Sequence, residues 1–220
     1  MTRPAAVIFD CDGVLVDSEG VVLTMIGHDL AKAGLPMAVA DMERLFVGGT
    51  IAGVFATARA MGADLPDDWV PDFYRRLYAA LASGTALIPG IGAVLDALDR
   101  AGIPYGVGSN GSQEKMQITL GQHSAVMARL QGRLFSGQDL GMPKPEPGLY
   151  LAVARALHTD PSRCTVIEDS VTGCIAARRA GMRCMGYAPH GDGAALAAEG
   201  ALVFHAMADL PDLLGLAQVG

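Results

Sequence analysis

Residues Ala5 to Phe9 form a short apolar run that stops at Asp10-Cys11-Asp12-Gly13. An unbroken apolar stretch of this length is what a strand buried on both faces shows. Such a strand needs a layer on each side of its sheet, and in open α/β sheets ligands bind at the carboxyl ends of the strands. If the extended conformation continues past Phe9, Asp10 and Asp12 point to the same side, because side-chain direction alternates with period two. Crowded carboxylates repel, each favouring a neutral neighbour. A divalent cation or a shared proton relieves that repulsion, and both serve catalysis. A solvated polar turn could also carry Asp-x-Asp-Gly, so the remainder of the chain has to decide.

From residue 18 to residue 87 the pattern is helical. Val22, Met25, Ile26 and Leu30 follow helical spacing up to Gly34, and further helices are predicted over 39–47, 50–61 and 71–83, each closed by glycine. Pro71 suits the first turn of the last of them. No strand is predicted there, so the segment reads as a lid or cap inserted behind the first strand.

After Pro89-Gly90 helices and strands alternate. Strands are predicted at 103–108, 133–136, 164–167, 183–187 and 201–204, with helices at 91–101, 112–123, 147–157, 171–180 and from Met207 onward. This alternation predicts an α/β fold, a doubly wound parallel sheet with right-handed crossovers. The expected division is a discontinuous core, 1–17 and 88–220, around a helical cap, 18–87.

Three later stretches place polar groups at the same kind of strand end. Ser109-Asn110-Gly111-Ser112 follows a predicted strand and opens a helix. Such a turn suits an anion through its N–H groups and hydroxyl, and also an ordinary helix N-cap. Lys144 lies between Pro143 and Pro145, which restrict its backbone. The chain has only three lysines, Lys32, Lys115 and Lys144, which makes a chance placement less plausible. Glu168-Asp169-Ser170 ends another predicted strand, where Asp169 could complement a helix dipole or meet a cation.

Taken together these stretches resemble the haloacid dehalogenase superfamily of phosphohydrolases. The opening signature is similar to Phe9 through Glu19, and the other elements are similar to Ser109, Lys144-Pro145 and Glu168-Asp169. They occur in order between Val7 and Met182. The insertion between the first and second elements resembles the subgroup with an α-helical cap, which includes beta-phosphoglucomutase and many small-molecule phosphatases. The resemblance implies Asp10 as nucleophile, Asp12 as general acid and base, and Ser109, Asn110 and Lys144 as phosphate-binding groups. It also implies Mg²⁺ held by Asp10, the backbone carbonyl of Asp12 and Asp169, with Glu168 holding a water ligand. Glu19 is a candidate substrate contact at the hinge.

The same residues separate the alternatives. A dehalogenase of this superfamily lacks the second acid, so Asp12 argues against it. The mutase pattern has a histidine where this chain has Val22, and a Lys-Gly-Val-Ser-Arg-like run where it has Val47-Gly48-Gly49-Thr50-Ile51. Hydrolysis is therefore expected over isomerisation. A phosphonatase would need a cap lysine, and Lys32 reads as the polar face of a helix. A silent binding protein would have lost an acid, and none is lost. The expected substrate is a small phosphorylated metabolite, a sugar or sugar-acid phosphate.

Composition sets the remaining limits. A net charge of −7 argues against nucleic-acid or anionic-membrane partners. Cys11, Cys164, Cys174 and Cys184 form no Cys-x-x-Cys pair and read as buried free thiols. The first apolar run is too short for a signal peptide, and no stretch reaches the roughly 18 apolar residues of a membrane span. A cytoplasmic monomer is expected.

Overall fold

Val7 and Phe9 pack into one hydrophobic cluster while Ala6 and Ile8 pack into another, so β1 (Ala6–Phe9) is buried on both faces. Full burial of Val7, Ile8 and Phe9 stabilises the fold by about 1.5–3 kcal/mol each. These observations come from a computed structural model, which describes residues 3–46 and 49–216, with Glu19 described by its backbone alone.

The chain continues through β2 (Val16–Asp17) into α1 (Glu19–Lys32), α2 (Val39–Phe46), α3 (Ile51–Ala60) and α4 (Trp69–Ala82), and returns through β3 (Ala86–Leu87). Then follow α5 (Ile91–Arg100), β4 (Tyr105–Ser109), α6 (Gln113–Leu120), α7 (Ser124–Leu130), β5 (Leu134–Ser136), α8 (Gly137–Leu140) and α9 (Gly148–Ala156). The chain ends through β6 (Cys164–Glu168), α10 (Val171–Arg179), β7 (Arg183–Tyr187), α11 (Ala194–Ala198), β8 (Leu202–Phe204) and α12 (Leu210–Leu213).

Six strands make a parallel sheet in the order β5-β4-β1-β6-β7-β8. The order reverses around β1, so the crevice beyond its carboxyl end is the switch point of a doubly wound sheet. Phe9 is level with Val107 on one neighbour and Ile167 on the other. That register sets Asp10, Ser109 and Glu168 at one edge.

Helices 19–82 hold a third cluster, with Ile26, Leu30, Phe73, Leu77 and Leu81 at its centre. Trp69 donates to Asp29 at 2.8 Å, and Arg76 pairs with the same carboxylate at 2.5 Å. The unit is tied back to the sheet layer by Tyr78 and Ser112, whose hydroxyls lie 2.5 Å apart. Gln122 adds a bond to the Leu81 carbonyl at 3.0 Å and accepts the Thr85 N–H at 3.0 Å.

Several details depart from the sequence reading. β2 and β3 form an antiparallel pair at the two crossings into the helical unit, two residues each and too short to show a period. The helix predicted over 112–123 ends at Leu120, and a separate α7 follows. The four-residue α8 and the five-residue α11 were not predicted. The final helix is a short 3-10 turn, Met207–Asp209, followed by α12. Val47 and Gly48, two of the residues compared with the mutase pattern, lie outside the described residues. The four cysteines are buried free thiols, as expected. No helix among the described residues is long and apolar enough to cross a membrane.

Candidate active site

β1 ends at Phe9, and the chain bends at Cys11 instead of continuing as a regular strand. Asp10 stays in register through its N–H, which donates to the Ile167 carbonyl at 2.9 Å. Asp10 and Asp12 nonetheless line one cavity of about 130 Å³, together with Ser109, Asn110, Lys144 and Asp169. The structure thus brings together six residues that the sequence reading selected from four separate stretches.

Lys144 is the hub. Its Nζ lies 2.6 Å from Asp10 Oδ1 and 2.6 Å from Glu168 Oε1, with its side chain only 3% exposed. Burial alone would lower the Lys144 pKa, but the Asp10 and Glu168 carboxylates reverse that and raise it. Burial pushes the Asp10 carboxyl up, to about 7, against the pull of Lys144. One ammonium therefore serves two buried carboxylates, and the site holds more negative charge than it neutralises. Asp10, Glu168 and Asp169 offer oxygens within 4.8 Å of one another. Oxygen donors of this kind suit a hard divalent cation.

Glu168 has partners that sequence did not suggest. Its Oε1 accepts from Lys144 and from Tyr150 Oη at 2.8 Å. Its Oε2 accepts the N–H groups of Asp169 and Ser170, at 2.8 and 2.7 Å, and the Ser170 hydroxyl at 2.8 Å. The sequence reading gave Glu168 a water ligand; in the structure both of its oxygens are also engaged by protein. Glu168 braces Lys144. Burial opposes its charged form, but Lys144 and these donors hold its carboxyl below the usual value. Gly173 on α10 makes room for it: a Cβ there would lie 1.7 Å from Glu168 Oε1.

Asn110 likewise works through Lys144. Its Oδ1 accepts the Lys144 N–H at 2.7 Å and its Nδ2 donates to the Lys144 carbonyl at 3.3 Å. The side-chain amide proposed for phosphate thus clamps the lysine backbone. Ser109 Oγ accepts the Gly111 N–H at 3.0 Å and reaches Asp12 Oδ2 at 3.4 Å. Ser112, not Ser109, caps α6, accepting the Lys115 N–H at 3.1 Å. The N-cap reading therefore belongs to Ser112, which leaves the Ser109 hydroxyl in the cavity.

Lys115, Ser18 and Tyr150 were not selected from sequence for this site. Lys115 Nζ pairs with Asp12 Oδ1 at 2.7 Å, and Ser18 Oγ donates to the same oxygen. Burial would raise the Asp12 pKa, but Lys115 and Ser18 outweigh it and hold the carboxyl low. The scarcity of lysine that singled out Lys144 applies equally to Lys115. Tyr150 carried no local signal, since its partner is set by the fold, and Ser18 lies within the opening signature but was given no role there. Lys32 is exposed on α1 and does not line the cavity. The Glu19 side chain lies outside the described residues.

Comparison with known proteins agrees with this geometry. Residues 4–181 match the haloacid dehalogenase-like hydrolases. The chain is 32% identical over 184 residues to 6-phosphogluconate phosphatase of Escherichia coli, covering 83% of this chain and 81% of that protein. It superposes with a TM-score of 0.84 on a haloacid dehalogenase-like protein of unknown function from Agrobacterium tumefaciens, at 30% identity and with 96% and 97% of the two chains covered. A haloacid dehalogenase family hydrolase from Deinococcus radiodurans, solved with bound phosphate and sodium, gives a TM-score of 0.80 at 32% identity over 100% of both chains. With the family match spanning most of its length, this chain belongs to the haloacid dehalogenase-like hydrolases.

Proposed function

We propose that this hydrolase is a phosphatase that cleaves small phosphate monoesters through a phosphorylated Asp10. The observation that carries the reading is the meeting of Asp10, Asp12, Lys144 and Ser109 around one cavity at the switch point of the sheet. Asp10 attacks phosphorus in line as the bond to the leaving alcohol breaks. Lys144 and Ser109 face the oxygens on which charge is redistributed. Asp12 is held ionised by Lys115 in the resting site, and a phosphoryl dianion beside it raises its affinity for a proton. It passes that proton to the leaving oxygen, then takes one from the water that attacks the aspartyl-phosphate. A divalent ion, Mg²⁺ by the chemistry of the donors, would be held by Asp10, Asp169 and the Asp12 carbonyl and would neutralise phosphoryl charge.

The helical unit, 18–87, acts as a cap over the core, 1–17 and 88–220, and limits water at the site during phosphoryl transfer. The similar phosphatase is named for a sugar-acid phosphate. Sugar and sugar-acid monophosphates are accordingly the first class to assay.

Inorganic phosphate release over a panel of monoesters tests the reading. Activity should require Mg²⁺, vanish in EDTA and return poorly with Ca²⁺, which prefers a larger and looser coordination shell. Full activity in EDTA would show that the metal assignment is wrong.

A further inference from the structure

The cavity has two unlike halves. Its sheet side is charged, with Asp10, Asp12 and Asp169 set against Lys115 and Lys144. Its other wall comes from the helical unit and is built of Leu23, Ile26, Phe46, Ile51, Val54 and Leu77. Polar groups on that wall away from Asp12 are the hydroxyls of Thr50 and Tyr74. Thr50 Oγ1 accepts the Gly53 N–H at 3.1 Å. Among the described residues no charged side chain of the helical unit lines the cavity.

Both lysines are committed on the sheet side. Lys144 lies between Asp10 and Glu168, and Lys115 is paired with Asp12. The site therefore offers cations to one phosphoryl group and none to a second anion. A carboxylate or second phosphate on the leaving group would lose its water against largely aliphatic walls, with neutral hydroxyls and no cation to replace it.

We infer that the alcohol released by this enzyme is uncharged, so that the site selects monophosphates with a neutral leaving group and discriminates against a second anionic group. The inference rests on the phosphatase reading and narrows its substrate class: neutral sugar or alcohol phosphates are preferred over sugar-acid phosphates and bisphosphates.

Two esters of one shape test it, the phosphate of 3-hydroxypropanoate and the phosphate of its primary amide, which differ in charge alone. The amide should have a kcat/KM at least about tenfold higher. Val22 is half-buried and lines the cavity. Val22→Lys should shrink that ratio by about tenfold or invert it, because it gives the wall a cation. A ratio within one variant is insensitive to a general loss of active protein. An equal or higher kcat/KM for the carboxylate in the wild-type enzyme overturns the inference. The matching non-hydrolysable phosphonates, 4-phosphonobutanoate and 4-phosphonobutanamide, are titrated by calorimetry in parallel. Tighter binding of the amide supports the inference even if neither ester is turned over, and the missing turnover then counts against the phosphatase reading alone. Equal or tighter binding of the carboxylate overturns the inference.

Discussion

Asp10→Asn should leave a folded protein whose phosphate release is slower by roughly four powers of ten or more, the scale on which loss of a nucleophile acts. The amide keeps the shape of the carboxyl group and loses its nucleophilic charge. Folding should survive because Lys144 keeps Glu168 as a partner at 2.6 Å, so no ammonium is left unpaired. Circular dichroism and a urea midpoint near that of the wild type should accompany the lost rate. An unchanged rate in a native-like variant would exclude Asp10 as the nucleophile.

Lys144→Met should damage both stability and turnover. Removing the ammonium leaves Asp10 and Glu168 as buried carboxylates without their shared cation, and breaking a buried ion pair from one side typically costs about 3–5 kcal/mol. The same change removes charge stabilisation from the phosphoryl oxygens, worth roughly 10²–10³ in rate or more. Adding Glu168→Gln should restore part of the stability, because one stranded charge is gone, and none of the rate. Urea unfolding and phosphate release on the single and double variants separate the two effects. If the double variant recovers rate along with stability, Lys144 acts through folding and not on the phosphoryl group.

Asp10, Asp12, Ser109, Lys144 and Asp169 were legible in the sequence because each sits at a strand end or in a braced turn, and such places announce themselves locally. The parallel sheet was legible for a related reason, since β1 and β6 are buried on both faces and read as apolar runs. Lys115 and Tyr150 project from helices onto partners far away in sequence, and helical periodicity says only which face they occupy. The job of Glu168 was hidden in the same way: its acidity was visible, but its bonds to Lys144 and Tyr150 depend on how α9 and the Lys144 turn pack against β6. Asn110 was read as a ligand group because its turn could bind an anion. The structure uses its side chain on the Lys144 backbone 34 residues away. β2 and β3 were invisible because two residues cannot display an alternation.

The central claim is that phosphorus becomes bonded to Asp10. Borohydride reduces an acyl phosphate to the corresponding alcohol, which would convert the phosphorylated aspartate to homoserine. Quenching a reaction in turnover with borohydride, followed by peptide mass spectrometry, should place homoserine at position 10, and only when substrate and Mg²⁺ are both present. Homoserine at another aspartate, or no modification while phosphate is being released, would contradict the account.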